Sequence, residues 1–117
     1  HLAYIESLSL QSGKKYFLAK MKNEYMGVVN LTNIVENQAA ELGIYAKPNT
    51  LGNGTVLMHK IIRFAFDEMK IKKLFANAYI NNENAINLYK KFHFNIYGKS
   101  KDKNGDLVQM ELYDENK

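Results

Sequence analysis

The sequence predicts an α/β (α+β) fold, built as one mixed, mostly antiparallel sheet with helices on both faces. Three observations carry that expectation. Segments rich in aromatic and β-branched residues follow one another across short turn-prone stretches, at 14–21 and 25–35 and again at 94–100 and 107–113. Two other segments, 53–70 and 82–92, repeat their apolar residues at helical spacing. The first of these helices lies between two strand-like segments, which makes a βαβ unit with parallel strands and a right-handed crossover.

Taken in order, residues 1–10, "HLAYIESLSL", place Leu2, Ile5 and Leu8 at helical spacing and predict a short amphipathic helix ending near Ser12-Gly13. "KKYFLAKM" (14–21) and "YMGVVNLTNIV" (25–35) predict an antiparallel hairpin about Lys22-Asn23-Glu24. "AAELGIYA" (39–46) is a third strand, stopped by Lys47-Pro48 because proline has no ladder donor. In the long helix 53–70, Leu57, Ile61, Ala65 and Met69 recur at four-residue steps, while Lys60, Arg63, Asp67 and Lys70 fall on other faces. "KLFANAYI" (73–80) is the next strand. The helix 82–92 aligns Ala85, Leu88, Tyr89 and Phe92, with Asn81 or Asn82 as its cap. The closing hairpin turns on Asn104-Gly105, a strong two-residue turn signal. The expected order is α-β-β-β-α-β-α-β-β, in a single domain spanning 1–117, without repeats or linkers.

Composition narrows the chemistry. The 117 residues include no cysteine, which removes disulfides, thiolate metal sites and cysteine-linked intermediates. His1, His59 and His93 lie far apart without ligand spacing, so no metal site is expected. The net charge of +4 comes almost wholly from lysine, with Arg63 the one arginine. Reading of bases favours arginine forks, so the charge suits a polyphosphate ligand better than nucleic acid. No apolar run is long enough to cross a bilayer, and a cytoplasmic address is the default.

The segment "PNTLGNGTVLM" (48–58) concentrates the functional signal. Gly52 and Gly54 stand where a strand gives way to a helix, so successive N–H groups can converge on one concavity. The first turn of the helix adds unpaired donors and the positive end of its dipole, and together they make an anion cradle. A P-loop would need a lysine-serine or lysine-threonine pair that is absent, and a dinucleotide loop would need a third small residue where Leu57 stands. A glycine-softened helix entry is the plainer alternative.

A second pattern lies about 30 residues further on: Asn82, Ala85, Leu88 and Tyr89 fit N-x-x-A-x-x-L-Y. The pair of motifs at this separation resembles the GNAT N-acetyltransferase family, and the likeness runs over essentially the whole chain. The family loop Q/R-x-x-G-x-G/A stands here as Asn49-Thr50-Leu51-Gly52-Asn53-Gly54, with asparagine at its first position. The resemblance implies acetyl-CoA as co-substrate, its pyrophosphate held by backbone amides of Asn49, Leu51, Gly52, Asn53, Gly54 and Thr55. It implies that Ile44, Tyr45 and Ala46 pair with the pantetheine arm as an added strand, and that Asn82 and Ala85 also contact the cofactor. Tyr89 takes the place of the family's general acid, which protonates the departing thiolate; without the family it reads as a core aromatic. Glu41 is the candidate base, against the alternative of a carboxylate on a solvent face. Asn77, Asn30 and His1 are further polar candidates on the acceptor side. Where the family usually ends the second helix with Gly-Phe, this chain has His93-Phe94, and histidine tolerates the left-handed conformation better than most residues.

Within the family, "ELGIYAKPN", "LGNGTVLMHKIIRFAF" and "NNENAINLYKKFHF" look most like bacterial enzymes of pseudaminic acid biosynthesis. These acetylate the 4-amino group of a UDP-linked amino-dideoxy sugar on the route to flagellin glycosylation. The implied partners are therefore acetyl-CoA and a UDP-amino sugar, with neither nucleic acid nor membrane, and a homodimer is a modest family-based expectation. Family members normally carry a strand and a helix ahead of the helix expected at 1–10, so the chain reads as N-terminally truncated. A protein N-terminus or another small amine is the alternative acceptor, and a non-catalytic acyl-CoA-binding module the alternative class.

Overall fold

A computed structural model describes the backbone of residues 3–11, 14–21, 24–46 and 53–117, and the side chains of 27–44 and 54–117. The elements are β1 (Ala3–Gln11), β2 (Lys14–Met21), β3 (Glu24–Val35), β4 (Ala39–Ala46), α1 (Asn53–Arg63), β5 (Lys73–Tyr79), α2 (Glu83–Lys91), β6 (Asn95–Asp102) and β7 (Gly105–Tyr113). The seven strands form one sheet in the order β1-β2-β3-β4-β5-β7-β6, antiparallel throughout except between β4 and β5.

The mixed, mostly antiparallel sheet is as expected, and one element is not. The helix expected at 1–10 is not found over its described residues: Ala3–Gln11 is strand β1, paired with β2 from Ala3↔Met21 to Gln11↔Lys14. The three-residue spacing of Leu2, Ile5 and Leu8 competes with the two-residue alternation of Leu8 and Leu10 against Ser7 and Ser9. Serine is a weak helix former, and the ready partner strand decides the contest. A second difference follows. Helices were expected on both faces, whereas α1 and α2 pack on the same face, against one buried cluster.

The covered face is a single core. Strands contribute Val29, Leu31, Ala40, Leu42, Leu74, Ala76, Ala78, Val108, Met110 and Leu112, at every second position. Helix α1 answers with Leu57, Met58, Ile61 and Ile62, and α2 with Tyr89, backed by Phe94. Leu57 and Ile61 are wholly buried, and truncating either to alanine removes about 2–5 kcal/mol. The opposite face carries Asn30, Thr32, Glu41, Phe75, Asn77, Gln109 and Glu111, all partly or largely exposed.

The long helix expected at 53–70 is α-helical to Arg63 and closes with a π-helical turn, Phe64–Glu68. Met69 N–H donates to the Phe64 carbonyl at 3.0 Å, and Lys70, at φ 59°, turns the chain into β5.

Candidate functional site

β4 and β5 are parallel neighbours for only three pairs, Ala39↔Lys73, Ala40↔Leu74 and Glu41↔Phe75. Beyond Glu41 they part. β4 continues to Ala46 on β3, and β5 continues to Tyr79 on β7. Their facing edges, residues 42–46 and 76–79, pair with no other described strand. Each edge presents main-chain donors and acceptors that need partners, which is the requirement for adding a strand-like ligand.

Topology places both helix starts at the open end of this splay. α1 runs back from the C-terminal side of β4, as a right-handed crossover between parallel strands requires, and α2 follows the C-terminal end of β5. Crevices outside the carboxyl ends of strands, at a switch in strand order, are where open α/β sheets take ligands.

Of the cradle residues, Asn49, Leu51 and Gly52 lie outside the described residues. Asn53 opens α1, followed by Gly54 and Thr55 in its first turn. Gly54 has a packing reason of its own: a Cβ there would stand 3.1 Å from Leu88 Cδ2 of α2. Thr55 Oγ1 accepts a hydrogen bond from Lys91 Nζ at 3.3 Å, which brings a cation to the first turn of α1. Lys91 has no carboxylate partner among the described residues. Nothing in the sequence singles out Lys91, since only the packing of α2 across α1 shows what it reaches. One turn further along, His59 and Phe92 meet edge to face with ring centroids 4.9 Å apart.

The strand candidates divide. Ile44 is partly buried against the core, and Tyr45 and Ala46 are described as backbone at the end of β4, paired with Val28 and Gly27. Asn82 caps α2, its Oδ1 accepting from Ala85 N–H at 3.2 Å, so the cap role is present and joins the two residues the motif named. Tyr89 lies on the buried face of α2, 5% exposed, with its ring 5.3 Å from that of Phe94.

The end of α2 explains how Tyr89 is held. His93 takes φ 74°, its N–H donating to the Lys90 carbonyl at 3.0 Å and Phe94 N–H to the Tyr89 carbonyl at 3.1 Å. This pair of bonds around a left-handed residue closes a helix and brings the following apolar side chain back onto the last turn. Phe94 is that side chain, and Tyr89 is what it packs on.

Glu41 stands on the other face of the sheet, at the apex of the splay. Its Oε1 accepts from Asn33 Nδ2 at 3.2 Å. Asn33, at φ 50°, sits in the irregularity between Thr32 and Val35 of β3. An asparagine inside a strand run is a sequence hint of such a bulge, but its partner could not be read there. Tyr89 and Glu41 are therefore not in contact; the splay separates them. Asn30 faces Gly43 so closely that a Cβ on Gly43 would lie 2.5 Å from Asn30 Oδ1. Asn77 is exposed on the Glu41 face, and His1 lies outside the described residues. At the end of β5, Tyr79 OH donates to Asp102 Oδ2 at 2.7 Å, which with the Asn104 N–H holds the Asp102 carboxyl below its usual range.

Among the described residues no group of three or more acidic, histidine or cysteine side chains could hold a metal ion. No helix there is long and apolar enough to cross a membrane.

The acetyltransferase (GNAT) family model matches residues 2–94. The chain belongs to the GNAT acetyltransferase family. Among GNAT proteins it is 40% identical over 102 residues to the acetyltransferase PseH of Campylobacter jejuni subsp. jejuni serotype O:23/36 (strain 81-176), an alignment covering 87% of this chain and 64% of that protein. The crystal structure of the Campylobacter jejuni N-acetyltransferase PseH matches with a TM-score of 0.79 and 38% identity, over 89% of this chain and 70% of that one. The same enzyme has been solved in complex with acetyl coenzyme A. A spermidine N-acetyltransferase from Vibrio cholerae, in complex with CoA and spermine, reaches a TM-score of 0.82 at 18% identity, over 89% of this chain and 68% of that one, a likeness of fold alone. The chain thus spans somewhat less than two thirds of the curated PseH it matches.

Proposed function

We propose that this GNAT chain transfers the acetyl group of acetyl-CoA to a primary amine in a ternary complex, and that the amine is the 4-amino group of a UDP-linked amino-dideoxy sugar. The observation that carries the acetyl-CoA part is the splay: β4 and β5 part after Glu41 and Phe75, with the first turn of α1 at the mouth. The unpaired edge at Ile44, Tyr45 and Ala46 fits an amide-bearing arm, and the N–H groups of Asn53, Gly54 and Thr55, with Lys91 beside them, fit a pyrophosphate. The sugar-nucleotide part is supported by the likeness to PseH and by the motifs shared with enzymes of pseudaminic acid biosynthesis.

Acetyl-CoA supplies an acyl group already activated as a thioester. The chain supplies the rest. Glu41, oriented by Asn33, takes a proton from the incoming ammonium directly or through water, leaving a free amine to attack. Main-chain N–H groups near Ile44 polarise the carbonyl under attack. Tyr89 gives its phenolic proton to the departing thiolate, and Phe94 fixes the ring from which it comes. No acyl-enzyme is needed, in keeping with a chain that has no cysteine.

The test is Tyr89→Phe, assayed with acetyl-CoA and a UDP-linked 4-amino sugar. Loss of an acid should lower kcat by about 10²–10⁴-fold while acetyl-CoA affinity stays near wild type. Unchanged turnover would remove Tyr89 from the chemistry. A wild-type preference for an N-terminal peptide over the sugar nucleotide would replace the acceptor, and binding without turnover on any amine would favour a non-catalytic module.

A further inference from the structure

The face of the sheet left open by the helices is not uniformly polar. Beside Glu41 lies Phe75, its in-register neighbour on β5, and beyond Phe75 stands Tyr97 of β6, ring centroids 6.1 Å apart and inclined at 62°. Tyr97 arrives there by an irregularity. Ile96 pairs with Met110 and Gly98 with Gln109, so Tyr97 is an extra residue in the ladder. Bulges of this kind re-aim a side chain, and this one sets a tyrosine that is 49% exposed against Phe75.

Two side-chain amides flank the rings. Asn77 and Gln109 are direct cross-strand partners on the same face. A Cβ on Gly98 would lie 2.8 Å from Gln109 Oε1, so the glycine leaves room for that amide next to Tyr97. The charges nearby are already sorted. Lys73 is bound to Glu111 at 3.5 Å and lies over the Phe75 ring at 4.5 Å, whereas Glu41 has no cationic partner among the described residues.

We propose that Tyr97, backed by Phe75 and flanked by Asn77 and Gln109, is the bed on which the sugar ring of the acceptor lies, with its amine directed to Glu41. This rests on the amino-sugar reading above and deepens it. An exposed aromatic ring gives an apolar face against which the C–H side of a sugar can pack, and amides supply both donors and acceptors for its hydroxyls. Among the described residues of this patch Glu41 is a carboxylate without a cation, which suits a single amine, while Glu111 is already engaged by Lys73.

The experiment is steady-state kinetics of the full chain with acetyl-CoA and a UDP-linked 4-amino sugar, comparing wild type, Tyr97→Ala and Tyr97→Phe. Tyr97→Ala should raise KM for the sugar nucleotide about tenfold, worth about 1.4 kcal/mol, with kcat and the KM for acetyl-CoA little changed. Tyr97→Phe, which keeps the ring, should restore the wild-type KM, separating a stacking role from a structural one. An unchanged sugar KM in Tyr97→Ala, or a loss shared equally by acetyl-CoA, overturns the bed while leaving the amino-sugar reading intact. A wild type that acetylates a polyamine or peptide but no amino sugar overturns both.

Discussion

His93 shows how one residue's backbone bears on chemistry one turn away. Its left-handed conformation returns Phe94 to Tyr89, and a side chain there costs roughly 1–2 kcal/mol that glycine would not incur. His93→Gly should therefore raise stability by about 1 kcal/mol in a denaturant titration, with turnover unchanged because the bond pattern that seats Phe94 is kept. A loss of stability would mean that the contact of His93 Nδ1 with the Asn116 carbonyl, 3.2 Å away, outweighs the strain. The exchange of glycine for histidine was legible in the sequence, because histidine is among the residues that accept this conformation. The hold of Asn33 on Glu41 was not, since it depends on a bulge that brings residues eight apart into reach. Nor was the Tyr97 bulge, which exists only in the register of β6 against β7.

At the scale of elements, the contact of α1 with α2 ties the two motifs together. Gly54 opens one helix and meets Leu88 of the other. Gly54→Val adds two methyl groups and a Cβ into a 3.1 Å gap, which should cost about 1–3 kcal/mol and weaken acetyl-CoA binding as α1 is displaced. Combining it with Leu88→Ala should recover part of both losses, a coupling read from a double-mutant cycle of unfolding and titration. Additive effects would show that the glycine serves only the ligand. Strands 14–21, 25–35 and 39–46 and the closing hairpin could be read because alternation, turn residues and a stopping proline agree. The first strand could not, because nine residues satisfy either period and only the partner strand decides. The parting of β4 from β5 leaves no mark in composition either: both are apolar runs that would serve equally well if fully paired.

For the whole molecule, the sheet must end without inviting further strands. β6 is one of the two outer strands in the order, and it carries exposed Lys99 and Lys101, with Lys103 in the turn beyond. A second copy pairing there would set ammonium groups against one another, a common way for edges to resist joining. Replacing Lys99 and Lys101 together by threonine should increase concentration-dependent association in sedimentation velocity. Behaviour identical to wild type would show that something other than charge guards the edge. The family-based expectation of a homodimer therefore gains nothing from β6.

The three-pair seam between β4 and β5 has a mechanical meaning. β1–β4 form one continuous ladder and β5–β7 another, and the two are stitched only from Ala39 to Glu41 and by the core beneath. The sheet is thus two plates sharing a short weld, with the rest of the joint left open. Whatever settles along that opening becomes part of the protein's own framework, and the stiffness of the molecule across its middle is set as much by its occupant as by its sequence.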